Sequence, residues 1–274
     1  VTDAPSIHHH REGRGAPLLL LHGIGHHWQA FAPVIGDLAR DFDVHACDSP
    51  GFGRSPALSP GTGCGVAAYA DAFAAWIAAQ GLDRPHVVGN SMGGAIALEL
   101  ARRGVVRSAT AISPAGFWTP AERRYCQATL GTLAGLPRAL RPAVVAAAGS
   151  PVGRTALGAQ LFARPWRVPA DEFRATLRDG WAAPAFAPAL RAFDDYVFAR
   201  GDELAGTPTT VLWGTRDGLL PHRLQAPRAR QALPAARHVP LRGLGHVPFT
   251  DDPGMCAAAI RRGARAGPPA ILRR

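Results

Sequence analysis

The stretch from Pro85 to Ala101 leaves this chain few folds to choose from. His86-Val87-Val88 begins a short β-branched run, Gly89-Asn90-Ser91-Met92-Gly93-Gly94 interrupts it, and Ala95 to Ala101 continues with helical periodicity. Gly-x-Ser-x-Gly at such a junction predicts a sharp strand-to-helix turn with the serine at its apex. Gly89 and Gly93 are expected there because strand and helix backbones come too close for a Cβ at either position. The serine would sit in a strained conformation at a helix N-terminus. Free N–H groups and the positive end of the helix dipole there favour an alkoxide or an oxyanion.

In a chain with 31 glycines, a glycine-rich turn with an idle serine reads the same over five residues. A working serine also needs a base, an acid to orient the base, and an oxyanion hole, with acid and base following in that chain order. Asp217 comes just after the apolar run Thr209-Thr210-Val211-Leu212-Trp213, and open α/β sheets place their chemistry at such a strand end. His246, in Gly243-Leu244-Gly245-His246, follows the last apolar run, Arg237 to Leu241. Upstream, Pro17-Leu18-Leu19-Leu20-Leu21 reads as a strand buried on both faces and ends in His22-Gly23-Ile24-Gly25. Gly23 and Gly25 free that loop to turn N–H groups toward a ligand; Ile24 and Met92 are the expected oxyanion donors. His22 is read as a brace for its own loop, Asp48 as a loop-holding carboxylate, and Asp252 before Pro253 as a helix N-cap. Asp251 is the other rival acid, and His26 and His27 face either the pocket or the following helix.

The 274 residues suit one large α/β unit or one with an insertion. A net charge of +10 raises the question of nucleic acid, but all thirty basic residues are Arg, none is Lys, and they are spread along the chain. The modest cluster Arg261, Arg262, Arg265, Arg273 and Arg274 brings no recognisable nucleic-acid motif, so compositional bias explains the charge and no nucleic-acid partner is expected. No apolar run reaches bilayer length and Val1 to Ser6 shows no secretory signal, so no membrane and a cytoplasmic location are expected. Cys47, Cys64, Cys126 and Cys256 lack metal or disulfide spacing. The consecutive His8, His9 and His10 alternate faces on a strand and cannot comfortably share an ion, so no metal and no cofactor are expected.

Along the chain, a strand over Ser6–Arg11, the Pro17–Leu21 strand, a helix over Trp28–Arg40, a strand over Phe42–Cys47, a helix over Val66–Ala79 and a strand over Val105–Ile112 alternate as βαβ units do. Between Gly116 and Gly206 no strand-like run appears, only proline-punctuated helical segments rich in Phe and Trp. The expected organisation is a core at 1–115 and 207–274, with a helical cap at 116–206 inserted before the penultimate strand.

With Ser91, Asp217 and His246 in that order and His22-Gly23-Ile24-Gly25 upstream, the chain resembles the α/β-hydrolase superfamily over nearly its whole length. The resemblance implies an eight-stranded, mostly parallel sheet, here with a short or missing first strand. Asn90 before the serine makes the turn similar to that of meta-cleavage product hydrolases, which cut carbon–carbon bonds. Those enzymes usually carry Trp after the histidine, where this chain has Val247, and a Pro-Gly pair where it has His26-His27. The expected activity is hydrolysis of carboxylic esters of small, largely apolar molecules through an acyl-enzyme. A meta-ring-fission hydrolase, with Arg164 or Arg167 holding the substrate carboxylate, is the alternative, and a non-catalytic ligand-binding protein on the same fold is the third. A small-molecule substrate is expected, and a homodimer is left open.

Overall fold

The computed structural model describes residues 5–204 and 206–266; Val1 to Ala4, Arg273 and Arg274 lie outside them. Its centre is a seven-stranded sheet: β1 (His9–Gly13), β2 (Ala16–Leu21), β3 (Phe42–Cys47), β4 (His86–Asn90), β5 (Ser108–Ile112), β6 (Thr209–Gly214) and β7 (Arg237–Leu241). Their order across the sheet is β1-β3-β2-β4-β5-β6-β7. All neighbours are parallel except β1, which runs antiparallel to β3 from His9 opposite Cys47 to Gly13 opposite Asp43.

That pairing corrects the expected Ser6–Arg11 strand, which is displaced because the register with β3 sets its bounds. The described residues hold seven strands, not the eight the resemblance implies.

β2 shows why its leucine run is continuous. Leu19 and Leu21 join one apolar core and Leu18 and Leu20 the other, so both faces are covered. The first core packs under α2 (Val66–Ala79) and α3 (Met92–Arg102), the second under α1 (Ala32–Leu38) and α10 (Pro253–Ala264). α1 is shorter than the helix expected over Trp28–Arg40. Pro33 lacks an N–H and fits only the first turn, so Trp28–Phe31 forms a 3-10 turn instead.

From Gly116 to Leu204 the described residues hold helices and turns and no strand. α4 (Pro120–Ala134) opens with a capping box between Thr119 and Glu122, with Pro120 in its first turn. α5 (Arg141–Ala147), α6 (Pro151–Gly158), α7 (Ala170–Ala182) and α8 (Phe186–Arg191) follow. Pro142 and Pro151 stand in first turns, so these prolines start helices as much as they punctuate them. β6 then resumes the sheet beside β5, followed by α9 (His222–Ala232). No helix among the described residues is long and apolar enough to cross a membrane.

Candidate active site

Ser91 stands between β4 and α3 with φ 57° and ψ −115°, a conformation that L residues seldom adopt. The turn is tight enough to require its glycines: a Cβ on Gly89 would overlap the Gly93 carbonyl, and one on Gly93 the carbonyls of Leu21 and His22. The Ser91 N–H donates to the Ile112 carbonyl at 2.9 Å, which fixes the turn to the end of β5. A Cβ on Gly23 would lie 3.0 Å from that of Ser91, so the loop after β2 lies directly against the serine. Among the described residues the Ile24 N–H donates to no acceptor, and Met92 is the first residue of α3, where an N–H has no partner within the helix. Gly25 has φ 77°, and a Cβ there would meet the Phe186 ring.

Asp217 and His246 meet although they leave different strands. His246 Nδ1 donates to Asp217 Oδ2 at 2.8 Å, with both side chains buried. The other carboxylate oxygen accepts from the N–H groups of Leu219 at 3.0 Å and Leu220 at 2.7 Å, so its orientation is set by backbone. A ring whose Nδ1 carries the proton leaves Nε2 as acceptor. Ser91 and His246 border the same small cavity, together with Gly23, Ile24, Asn90 and His26. Among the described residues no hydrogen bond of 3.5 Å or less joins the Ser91 hydroxyl to the imidazole. Asn90 Nδ2, which the sequence reading gave no role, donates to the His246 carbonyl at 2.9 Å and to the Ile112 carbonyl at 3.1 Å.

The rival residues have other partners. His22 Nδ1 donates to the Gly23 carbonyl at 2.7 Å and its Nε2 accepts from the Ser49 N–H at 2.9 Å, the expected brace; burial pushes its pKa down to about 4. Asp48 accepts from the N–H groups of Trp28 and Arg54 and pairs with His8. Asp252 caps α10 through the Met255 N–H at 2.9 Å. Asp251 is buried, but its carboxylate accepts backbone N–H groups and touches no histidine. His26 borders the cavity and is kept neutral by desolvation and then by His27, with its pKa near 3, whereas His27 turns toward Gln29 and Asp179.

A second, larger and mostly apolar cavity lies under the helical insertion and shares Ile24, His26, Leu130, Leu161 and Val247 with the first. Of the insertion's aromatics, Phe162, Phe173, Trp181 and Phe186 line it, while Phe117, Trp118, Phe193 and Phe198 pack into the core. Arg164 and Arg167 border neither cavity, which corrects their expected role; the Arg164 guanidinium donates to the Asp251 carbonyl at 2.8 Å. The four cysteines are unpaired, and burial raises the Cys126 and Cys256 thiols to about 12.

The family described as alpha/beta hydrolase fold matches residues 16–253. An uncharacterized protein of Mycobacterium tuberculosis is 31% identical over 270 residues, covering 91% of this chain and 75% of its own. The crystal structure of a bacterial membrane phospholipase A superposes with a TM-score of 0.71 at 28% identity, over 96% of this chain and 88% of that one. The meta-cleavage product hydrolase of Pseudomonas fluorescens IP01 has the same TM-score at 18% identity, over 94% and 93% of the two chains, a likeness of fold alone. With its mostly parallel sheet, its strand–serine–helix turn and this family match across most of its length, the chain belongs to the α/β-hydrolase fold family.

Proposed function

We propose that the protein hydrolyses carboxylic esters with a largely apolar acyl group, through a covalent intermediate on Ser91. The observation that carries this reading is the buried His246–Asp217 pair at 2.8 Å, whose histidine borders the same cavity as Ser91. His246 Nε2 takes the hydroxyl proton as Ser91 Oγ attacks the ester carbonyl, then returns it to the leaving alcohol. A water, deprotonated by the same nitrogen, attacks the acyl carbon, and the proton passes to Ser91 Oγ as its bond to the acid breaks. Asp217 keeps the proton on Nδ1 and stabilises the imidazolium. The N–H groups of Ile24 and Met92 receive the oxyanion, each worth about 3 kcal/mol. Residues 116–206 act as the cap and 1–115 with 207–274 as the core, and the larger, mostly apolar cavity takes the acyl chain.

Hydrolysis of 4-nitrophenyl butyrate with covalent capture by a fluorophosphonate tests the assignment. Ser91→Ala is expected to lose both. Retention of the wild-type rate in that variant overturns it.

A further inference from the structure

Asp251 has no part in the chemistry above, yet it is among the best-satisfied carboxylates in the molecule. It is 1% exposed. Its Oδ2 accepts from the N–H groups of Gly245 at 2.8 Å and Ala163 at 3.0 Å, and its Oδ1 from that of Arg164 at 2.7 Å. A buried carboxylate is tolerated when several N–H groups replace its water, and these charge-assisted bonds are stronger than neutral ones. Here one donor immediately precedes His246 and the other two belong to the helical insertion. The carboxylate therefore joins two separate segments of chain.

The surrounding contacts repeat the link. The Val247 N–H donates to the Leu161 carbonyl at 2.8 Å, and the Gly218 N–H to the Gln160 carbonyl at 3.2 Å. A Cβ on Gly245 would stand 2.6 Å from the Ala163 nitrogen and 2.7 Å from the Leu161 oxygen, so only glycine lets the two backbones approach this closely. Residues 160–164 are thus stitched to the loop after Asp217 and to the loop that carries His246. Leu161 and Val247, bonded to each other, also border both cavities.

We propose that Asp251 is a positioning residue for His246, and that through it residues 160–164 and the histidine loop form one mechanical unit. Whatever fills the larger cavity and presses on Leu161 then acts on the imidazole, while cap adjustment is left to α4, α7 and α8. The positioning half rests on the reading of His246 as the base; the mechanical half does not.

Asp251→Asn keeps the shape but replaces one acceptor with an amide donor facing backbone N–H groups. With active sites counted by fluorophosphonate, kcat for 4-nitrophenyl butyrate is expected to fall at least tenfold with KM within threefold of wild type. The pH of half-maximal kcat/KM is expected to move with it. A lower melting temperature with unchanged kcat per titrated site and an unchanged pH profile overturns the positioning role. Hydrogen exchange on the wild-type chain gives a reading independent of that variant's folding and of any activity. The amides of Ala163, Arg164, Gly245 and Val247 are expected to open together; exchange at 163–164 a hundredfold faster than at 245 and 247 overturns the single unit. A wild-type chain inert toward all nitrophenyl esters sinks the ester reading and leaves the exchange result to decide the coupling.

Discussion

Asn90 and His246 are joined across 156 positions of sequence: the Asn90 amide donates to the His246 carbonyl at 2.9 Å while also donating to Ile112 at 3.1 Å. The residue before the serine therefore holds the backbone of the proposed base, through a link that joins the ends of β4 and β5. Asn90→Ala leaves the buried His246 carbonyl without its donor, a cost of about 1–3 kcal/mol. We expect urea stability to drop by that amount and kcat for 4-nitrophenyl butyrate to fall about tenfold, with fluorophosphonate labelling slowed in parallel. Wild-type kcat in a folded Asn90→Ala would separate this amide from histidine placement.

Gly93→Ala places a methyl group against the carbonyls of Leu21 and His22, both in rigid backbone. Neither can yield without breaking the start of the loop that carries Ile24. A loss of several kcal/mol is expected. Gly104→Ala is the control: its φ of 69° is strained for alanine, but nothing lies within 4 Å, and a loss of about 1 kcal/mol is expected. Thermal unfolding of the two variants checks the ranking, which a larger loss at Gly104 would reverse.

Leu130 borders both the cavity at Ser91 and the larger apolar one. A bulkier side chain there should obstruct long acyl chains and leave acetate a fit. In Leu130→Phe, kcat/KM for 4-nitrophenyl hexanoate is expected to fall about tenfold and that for the acetate by less than twofold, from the buried volume added. Equal losses on both esters would place the acyl chain elsewhere.

His22 couples folding to pH. Burial lowers its pKa from 6.5 to about 4, so the folded chain holds it neutral where the unfolded chain binds a proton. Its contribution is therefore present above pH 6.5 and is lost as pH falls toward 4, by about 3 kcal/mol in all. Urea unfolding between pH 7.5 and 5 should show stability declining with acid, with about one proton per molecule attributable to this residue near pH 5.5. The pH slope of His22→Gln should be shallower by that proton; identical slopes would remove His22 from the linkage.

Much of this was readable in the amino acids because the signals are local. Alternating apolar runs and glycines gave β3, β7 and α2 to the residue, and Gly89 and Gly93 follow from what a strand-to-helix turn can hold. The edge strand came out displaced because its bounds depend on pairing with β3, and α1 came out shorter because Pro33 limits where the helix begins. Only tertiary structure decided which aromatics line the cavity, that Arg164 is spent on Asp251, and that Asn90 bonds the backbone of the histidine loop. The contacts of Arg164 with Asp251 and of Asn90 with His246 join positions 87 and 156 residues apart. Local sequence fixes which conformations each segment can take, whereas the partner of a buried amide or carboxylate depends on which distant backbone group the packed sheet brings within 3 Å.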